Sequence, residues 1–303
     1  MTTSAQPTLI FGKNGQLSGS IFKKLSGVNP APIFLGQEQA DFLQPDLVIE
    51  QLNQIKPKIV INCSAYTAVD LAESEKEKCL KINATTPARI AEWCGKNKAT
   101  LIHFSTDYIF SGDSQRPWIE NDSSAPKNWY GETKLRGERS IIELCPQHLI
   151  FRISWVYSEI GKNFVKTMIK LGAEKEELKV VSDQWGYPTY AQDVADILID
   201  LVLPKIFAND SSLWGVYHLA GKGYTNWYLF SQRIFQLLEE KKMPLRVCRV
   251  LPIATSDYKT PALRPLNSRL ESSKFQNVFG KILPDWESSL TVCLNRILNE
   301  GNS

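Results

Sequence analysis

Three side chains near the middle of the sequence have the types and spacing to place a proton on a carbonyl oxygen. Tyr130 and Lys134 lie four residues apart in Tyr130-Gly131-Glu132-Thr133-Lys134, within a stretch of helical patterning, so they share one helix face. As hydride reaches a ketone carbon, the oxygen needs a proton. A phenol can give it if a nearby ammonium lowers its pKa from about 10 toward working pH. Lys134 supplies that ammonium. Thr106, in Ser105-Thr106-Asp107-Tyr108, offers a hydroxyl that can hold the carbonyl oxygen. The spacing of Tyr and Lys alone carries little, because the 10 tyrosines of this chain yield roughly one such match by chance. The order of the surrounding features carries more.

The first of those features is Gly12-Lys13-Asn14-Gly15-Gln16-Leu17-Ser18-Gly19, directly after the apolar Leu9-Ile10-Phe11 and opening an amphipathic stretch. Glycines permit a tight turn and let backbone N–H groups at a helix N-terminus approach a pyrophosphate; the alternative is an ordinary strand-to-helix turn. Ser18 stands where a third glycine is usual, so the first helix is expected to sit slightly outward. The second strand ends Leu35-Gly36-Gln37 with no carboxylate to grip a ribose 2′-OH, and Lys13 can attract a 2′-phosphate, which favours NADPH over NADH. Asp41-Phe42 and Ser64-Ala65-Tyr66-Thr67 fall where a sheet's carboxyl edge would meet adenine and pyrophosphate, or are simply polar loops. Trp155 either stacks on a ligand or fills core.

These groups need a frame. Apolar, β-rich runs at 8–11, 33–35, 58–62, 100–104 and 148–153 alternate with amphipathic stretches at 15–25, 47–55, 72–82, 87–96 and 129–144. Runs such as Ile59-Val60-Ile61 are apolar on both faces, as parallel strands covered on both sides require. The expected fold class is α/β, a doubly wound Rossmann-type parallel sheet with a smaller α+β substrate-binding lobe. The sheet domain takes residues 1–155 and the lobe mainly 156–303, with a helix at 192–203 returning to the sheet. Strands at 178–182, 215–219 and 245–251 and helices at 164–171, 227–240 and 286–299 are assigned to the lobe, with Tyr224, Trp227, Tyr228 and Phe230 packing it.

Segments 10–17 (IFGKNGQL), 62–73 (NCSAYTAVDLAE), 103–110 (HFSTDYIF), 130–138 (YGETKLRGE), 151–157 (FRISWVY), 183–189 (DQWGYPT) and 264–270 (RPLNSRL) together make the chain resemble the extended short-chain dehydrogenase/reductases, and among them the dTDP-4-dehydrorhamnose reductases, over nearly its whole length. The resemblance implies catalytic roles for Thr106, Tyr130 and Lys134. It implies that Gly12, Gly15, Gln16, Leu17, Asp41, Phe42, Ala65, Tyr66, Thr67 and Phe104 line the dinucleotide together with Tyr130 and Lys134. Thr106, Asp107 and Trp155 would touch a sugar. Arg264, with a planar fork suited to a diphosphate, and Asn267, able to pair with a base edge or phosphate, would hold its nucleotide; a surface salt bridge is the other reading of Arg264. The implied reaction reduces the 4-keto group of dTDP-4-dehydro-β-L-rhamnose with NADPH or NADH, giving dTDP-L-rhamnose. A related nucleotide-linked 4-keto-6-deoxyhexose is an alternative substrate, and a noncatalytic nucleotide-binding regulatory subunit an alternative role. Dehydratases of the superfamily carry a glutamate where this chain has Tyr108, which disfavours elimination, and an epimerase would retain its NAD. Ser20 stands where some relatives carry a glutamate that helps bind a metal at a dimer contact, so no metal is carried over and the chain is a monomer or a homodimer.

Composition agrees with a compact intracellular protein. The 303 residues hold 43% hydrophobic and 22% charged side chains, and the formal charge of +3 is scattered without a basic run, which leaves no footprint for nucleic acid. Cys63, Cys79, Cys94, Cys145, Cys248 and Cys293 are far apart with no C-x-x-C pair, which favours reduced thiols and a cytoplasmic location. Met1 to Pro7 has no leader character, no apolar stretch is long enough to span a membrane, and the glycosylation patterns at Asn83, Asn121 and Asn209 would matter only after secretion. His103, His148 and His218 sit in apolar strand-like contexts without ligand spacing and read as buried, hydrogen-bonded side chains; the charge run at 73–78 reads as a solvated helix face.

Overall fold

In the computed structural model, which describes residues 7–27, 31–208 and 210–300, the first half of the chain alternates strand and helix as its apolar pattern requires. Residues 1–6 and Asn209, on which two readings above rest, lie outside the described residues. The elements run β1 (Thr8–Phe11), α1 (Gln16–Leu25), β2 (Ile33–Leu35), α2 (Pro45–Ile55), β3 (Ile59–Asn62), α3 (Val69–Ala72), α4 (Lys76–Leu80), α5 (Thr86–Asn97), β4 (Thr100–Thr106), α6 (Trp129–Leu144) and β5 (His148–Ile153). The stretch 72–82, expected as one helix, is two short helices followed by a π-turn at Lys81–Thr85. That turn carries the buried Asn83 to Tyr66, whose backbone N–H and carbonyl it binds at 2.9 and 3.1 Å.

The second half continues with β6 (Val156–Tyr157), α7 (Phe164–Glu174), β7 (Glu177–Val181), β8 (Trp185–Gly186), β9 (Thr189–Tyr190), α8 (Ala191–Ile197), α9 (Leu203–Phe207) and β10 (Gly215–His218). It ends with β11 (Thr225–Asn226), α10 (Trp227–Glu240), β12 (Arg249–Ile253), α11 (Ser273–Phe279) and α12 (Trp286–Glu300).

Six strands form one sheet in the order β10-β5-β4-β3-β1-β2, every neighbouring pair parallel. Strand alternation sorts the core into two layers. Ile10, Ile61, Ile102 and Phe151 face α1, α8 and α11, whereas Leu9, Phe11, Val60, Leu101 and Ile150 face α2 and α5. Both layers are buried, which is why these strands read as unbroken apolar runs rather than alternating ones. β10 corrects the sequence reading, which gave it to the lobe: it lies parallel to β5 with Gly215 opposite Leu149 and His218 opposite Arg152. The physical reason is the edge of β5, whose backbone groups need a partner; Tyr217, buried on the α11 side, supplies the packing. A third core, around Tyr157, Phe230, Ile234 and Leu294, lies among α7, α10 and α12 beside the parallel pair β7 and β12. Among the described residues no helix is long and apolar enough to cross a membrane.

Candidate active site

Chain order reverses between β1 and β3, where connections leave in opposite directions and open a crevice at the carboxyl ends of the strands. The glycine turn forms one wall. Gly12 has φ +89°, and a Cβ there would stand 2.9 Å from the backbone N of Ser64, so only glycine lets the two loops approach. Its N–H donates to Leu35 O at 3.0 Å. Gly15 caps α1 with no side-chain bond, which leaves the first-turn N–H groups of the helix facing the crevice. Ser18 is buried and its hydroxyl donates to the Gly12 carbonyl, so the serine braces the turn from within. Ser20 is buried as well, its hydroxyl 3.1 Å from Gln16 O.

Two adjoining clefts follow. One of about 370 Å³ is walled by Gly12, Lys13, Gly36, Gln37, Asp41 and Phe42; the other, of about 600 Å³, by Gln16, Leu17, Ala65, Thr67, Phe104 and the catalytic candidates. Asn14, Gly15, Cys63, Ser64 and Ala65 border both, which makes one trough across the switch point. The cradle at Gly12, the uncapped helix end and the continuity of the two clefts fit a dinucleotide, pyrophosphate at α1. No carboxylate stands at the end of β2: Gln39 Oε1 accepts the Gly36 N–H at 3.0 Å instead. Tyr66 is placed differently from the sequence reading. Its hydroxyl turns to Glu75 at 3.0 Å, burial raises its pKa to about 12, and only its backbone lies beside the trough residues Ala65 and Thr67.

Thr106, Asp107, Tyr108, Tyr130, Lys134 and Trp155 all face the larger cleft. The turn before α6 sets this up: Asn128 caps the helix by accepting the Gly131 N–H at 2.8 Å and ties it to the 254–270 loop by donating to Leu263 O at 2.7 Å. Gly131 then lies against β4's exit loop so closely that a Cβ would fall 2.2 Å from Tyr108 O. Tyr130 is seated by that contact. Thr106 donates to Asp107 Oδ1 at 2.9 Å and accepts from the Tyr108 N–H at 3.2 Å. Asp107 Oδ2 and Ser105 Oγ are buried without a partner, two polar atoms left for a ligand to satisfy.

Burial governs the titration of the site. It lifts the Asp107 carboxyl to about 7, the Thr106 hydroxyl bonded to Oδ1 acting against it. It lowers the Lys134 ammonium to about 8, opposed by the charge of Glu138. Tyr130 departs from expectation: burial holds its phenol above the ordinary value, with the Thr106 hydroxyl the opposing influence. Lys134 donates instead to Phe104 O (2.6 Å), and its Nζ lies 3.2 Å from His103 Nε2. The proton-donating pair is therefore assembled, while the acidification of the phenol that its spacing suggested is not in place.

Trp155 adopts φ +46° and stacks on Trp227, ring centroids 3.6 Å apart and planes 11° apart. Trp227 also lines the cleft, although the sequence placed it in the lobe's packing; the signal was its position directly after the helix cap Asn226, which aims the first turn of α10 at the cleft. Two further candidates are committed to the protein itself. Arg264 forks onto Asp70 at 3.1 and 2.7 Å, and Asn267 Nδ2 donates to the carbonyls of Ser114 and Arg116 at 2.7 and 2.8 Å. Neither reaches the trough walls.

A parallel doubly wound sheet, a glycine turn at its switch point and a Tyr/Lys helix beside the fourth strand define a dinucleotide-dependent oxidoreductase of the short-chain dehydrogenase/reductase type. Comparison with known proteins narrows the class: the RmlD substrate binding domain family matches residues 6–299, and the chain belongs to that family. It is 42% identical over 295 residues to a dTDP-4-dehydrorhamnose reductase of Escherichia coli K12, covering 96% of this chain and 97% of that one. A dTDP-4-dehydrorhamnose reductase structure from Clostridium acetobutylicum superposes with TM-score 0.88 at 37% identity, covering 96% of this chain and 99% of the other. One from Bacillus anthracis, in complex with NADP, gives 0.85 at 33% identity with the same coverages.

Proposed function

We propose that this protein is a dTDP-4-dehydrorhamnose reductase: it reduces the 4-keto group of dTDP-4-dehydro-β-L-rhamnose to the alcohol of dTDP-L-rhamnose, with NADPH or NADH as reductant. The observation that carries the reading is the convergence of Thr106, Tyr130 and Lys134 on one cleft at the sheet's switch point, continuous with the dinucleotide trough. The full-length likeness to reductases of that name supports the substrate.

A dinucleotide held in the trough would supply the hydride. The chain supplies the rest. Tyr130 delivers its phenolic proton to the oxygen that becomes the alcohol, and the Thr106 hydroxyl, which otherwise donates to Asp107 Oδ1, turns its proton to that oxygen when substrate binds. Lys134 restores the proton to Tyr130. Trp155 and Trp227 offer an aromatic floor for the sugar ring, and Asp107 meets its hydroxyls. Gly12, Gly15 and the α1 N-terminus would receive the pyrophosphate, Asp41 and Phe42 would line the adenosine end, and Lys13 would favour a 2′-phosphate. Residues 1–155 form the greater part of the dinucleotide domain and 156–303 most of the sugar side. The protein works in the cytoplasm as a monomer or homodimer.

Mixing the protein with dTDP-4-dehydrorhamnose and each nicotinamide tests this. Oxidation of the cofactor with dTDP-L-rhamnose as the product by NMR is expected; no oxidation with either cofactor would instead favour a nucleotide-binding regulatory role.

A further inference from the structure

His103 stands in β4 with no solvent contact, bridging two side chains. Its Nδ1 lies 3.1 Å from Asn62 Nδ2 on β3, and its Nε2 lies 3.2 Å from Lys134 Nζ on α6. The polarity of this chain follows from its far end. The Ser64 N–H can only donate, and it meets Asn62 Oδ1 at 3.0 Å, so the amide group facing His103 is the NH2, another donor. Nδ1 must then accept, and the single ring proton sits on Nε2, aimed at Lys134. An ammonium has no lone pair to receive it, whereas an amine has one and still donates to Phe104 O.

We propose that His103 is a positioning residue for proton delivery: it stabilises the neutral amine that Lys134 becomes after passing its proton to the Tyr130 phenolate. The inference rests on the catalytic reading of Tyr130 and Lys134. The alkoxide left by hydride addition takes the phenolic proton of Tyr130; the Lys134 ammonium reprotonates the phenolate and becomes an amine; that amine accepts the His103 Nε2–H until water returns a proton to it. Burial works in the same direction, lowering Lys134 to about 8, and burial together with the Lys134 charge keeps His103 from taking a second proton near neutrality. The other groups acting on Lys134 are Cys79 on α4 and Glu138 on its own helix, the latter paired with Arg152 at 2.7 Å.

The chain has 3 histidines, so ¹⁵N-histidine NMR of the intact protein can read the tautomer directly. A bare Nδ1 and a protonated Nε2 on His103 are expected from about pH 6 to about pH 9. A proton on Nδ1, or an imidazolium, would overturn the proposal whether or not the substrate is right. Asn62→Asp reverses the chain, because a carboxylate accepts from both Ser64 and His103 and turns a bare Nε2 toward Lys134. That variant is expected to show the opposite tautomer. Its alkaline limb of kcat should move up by about one pH unit, with dinucleotide Kd within about two-fold of wild type. His103→Gln, whose amide can accept from Asn62 and donate to Lys134, should keep the limb in place. A folded Asn62→Asp protein with an unmoved limb would mean that His103 only packs.

Discussion

A carboxyl group is held at Asp107 where charge is costly. Its folded pKa of about 7 lies well above that of an unfolded aspartate, about 3.9. Between those values the folded protein keeps a proton that the unfolded chain has released, so the group's contribution to stability falls as pH rises through that window and stays unfavourable above it. Asp107→Asn should therefore raise Tm at about pH 8 and lose that advantage near pH 4, while raising KM for the nucleotide sugar. Equal Tm gains at both pH values, by calorimetry, would remove burial as the cause. Tyr130→Phe keeps the ring but removes the proton, so kcat should fall by about 10²-fold or more with dinucleotide Kd unchanged; unchanged turnover would take Tyr130 out of its role. Thr106, Tyr130 and Lys134, which line one cleft, were legible from their types together with the order of the glycine turn and strand ends around them and the family resemblance, since the Tyr/Lys spacing alone recurs by chance. Partners were not: His103 read correctly as a buried histidine, but the Asn62–His103–Lys134 chain joins three separate elements. Arg264 and Asn267 have the right chemistry for a nucleotide, and nothing in their types showed that Asp70 and two backbone carbonyls would claim them.

Helix α6 is the element on which the chemistry turns, and its seat joins the Asn128 cap to a close backbone contact at Gly131. At Gly131 a methyl group would meet Tyr108 O at 2.2 Å, a rigid neighbour, so Gly131→Ala must lift the first turn of α6 or move the β4 loop. Either displaces Tyr130. A stability loss of about 2 kcal/mol and a fall in kcat of at least about ten-fold are expected from urea titration and steady-state assay; wild-type kcat with normal stability would show that the loop yields freely. At this scale the sequence was informative where pattern is local: β1, β2, β5, α6 and α10 fall at the residues their periodicity marks. It failed at β10, because four residues, Gly215 to His218, do not announce which edge they will cover.

Across the whole molecule, Gln16 at the start of α1 is tied to the 158–163 loop, its Oε1 accepting from Ser158 (3.0 Å) and Asn163 (2.9 Å). Nearby, the buried carboxylate of Glu159 takes Lys23 of α1 at 3.4 Å and Arg296 of α12 at 3.5 Å, joining the first and last helices. Burial pushes the Glu159 pKa up, but its own backbone N–H, the Tyr190 hydroxyl and the two cations outweigh it and leave it below the ordinary value. A lowered folded pKa gives stability that is present above the unfolded value of about 4.3 and lost as pH falls through the folded one. Glu159→Gln should thus lower Tm at neutral pH, with the gap to wild type closing below about pH 4. A gap that stays constant on acidification would show that shape, not charge, makes the joint.

The place of β10 beside β5 also bears on how the chain is made. Leu149 leaves the ribosome 66 residues ahead of Gly215, its partner in the finished sheet. At about 5–20 residues per second, the nascent chain spends several seconds with that apolar strand bare along one side. Newborn molecules are thus most open to sticking together, and most in need of chaperone cover, in the interval before residue 218 emerges.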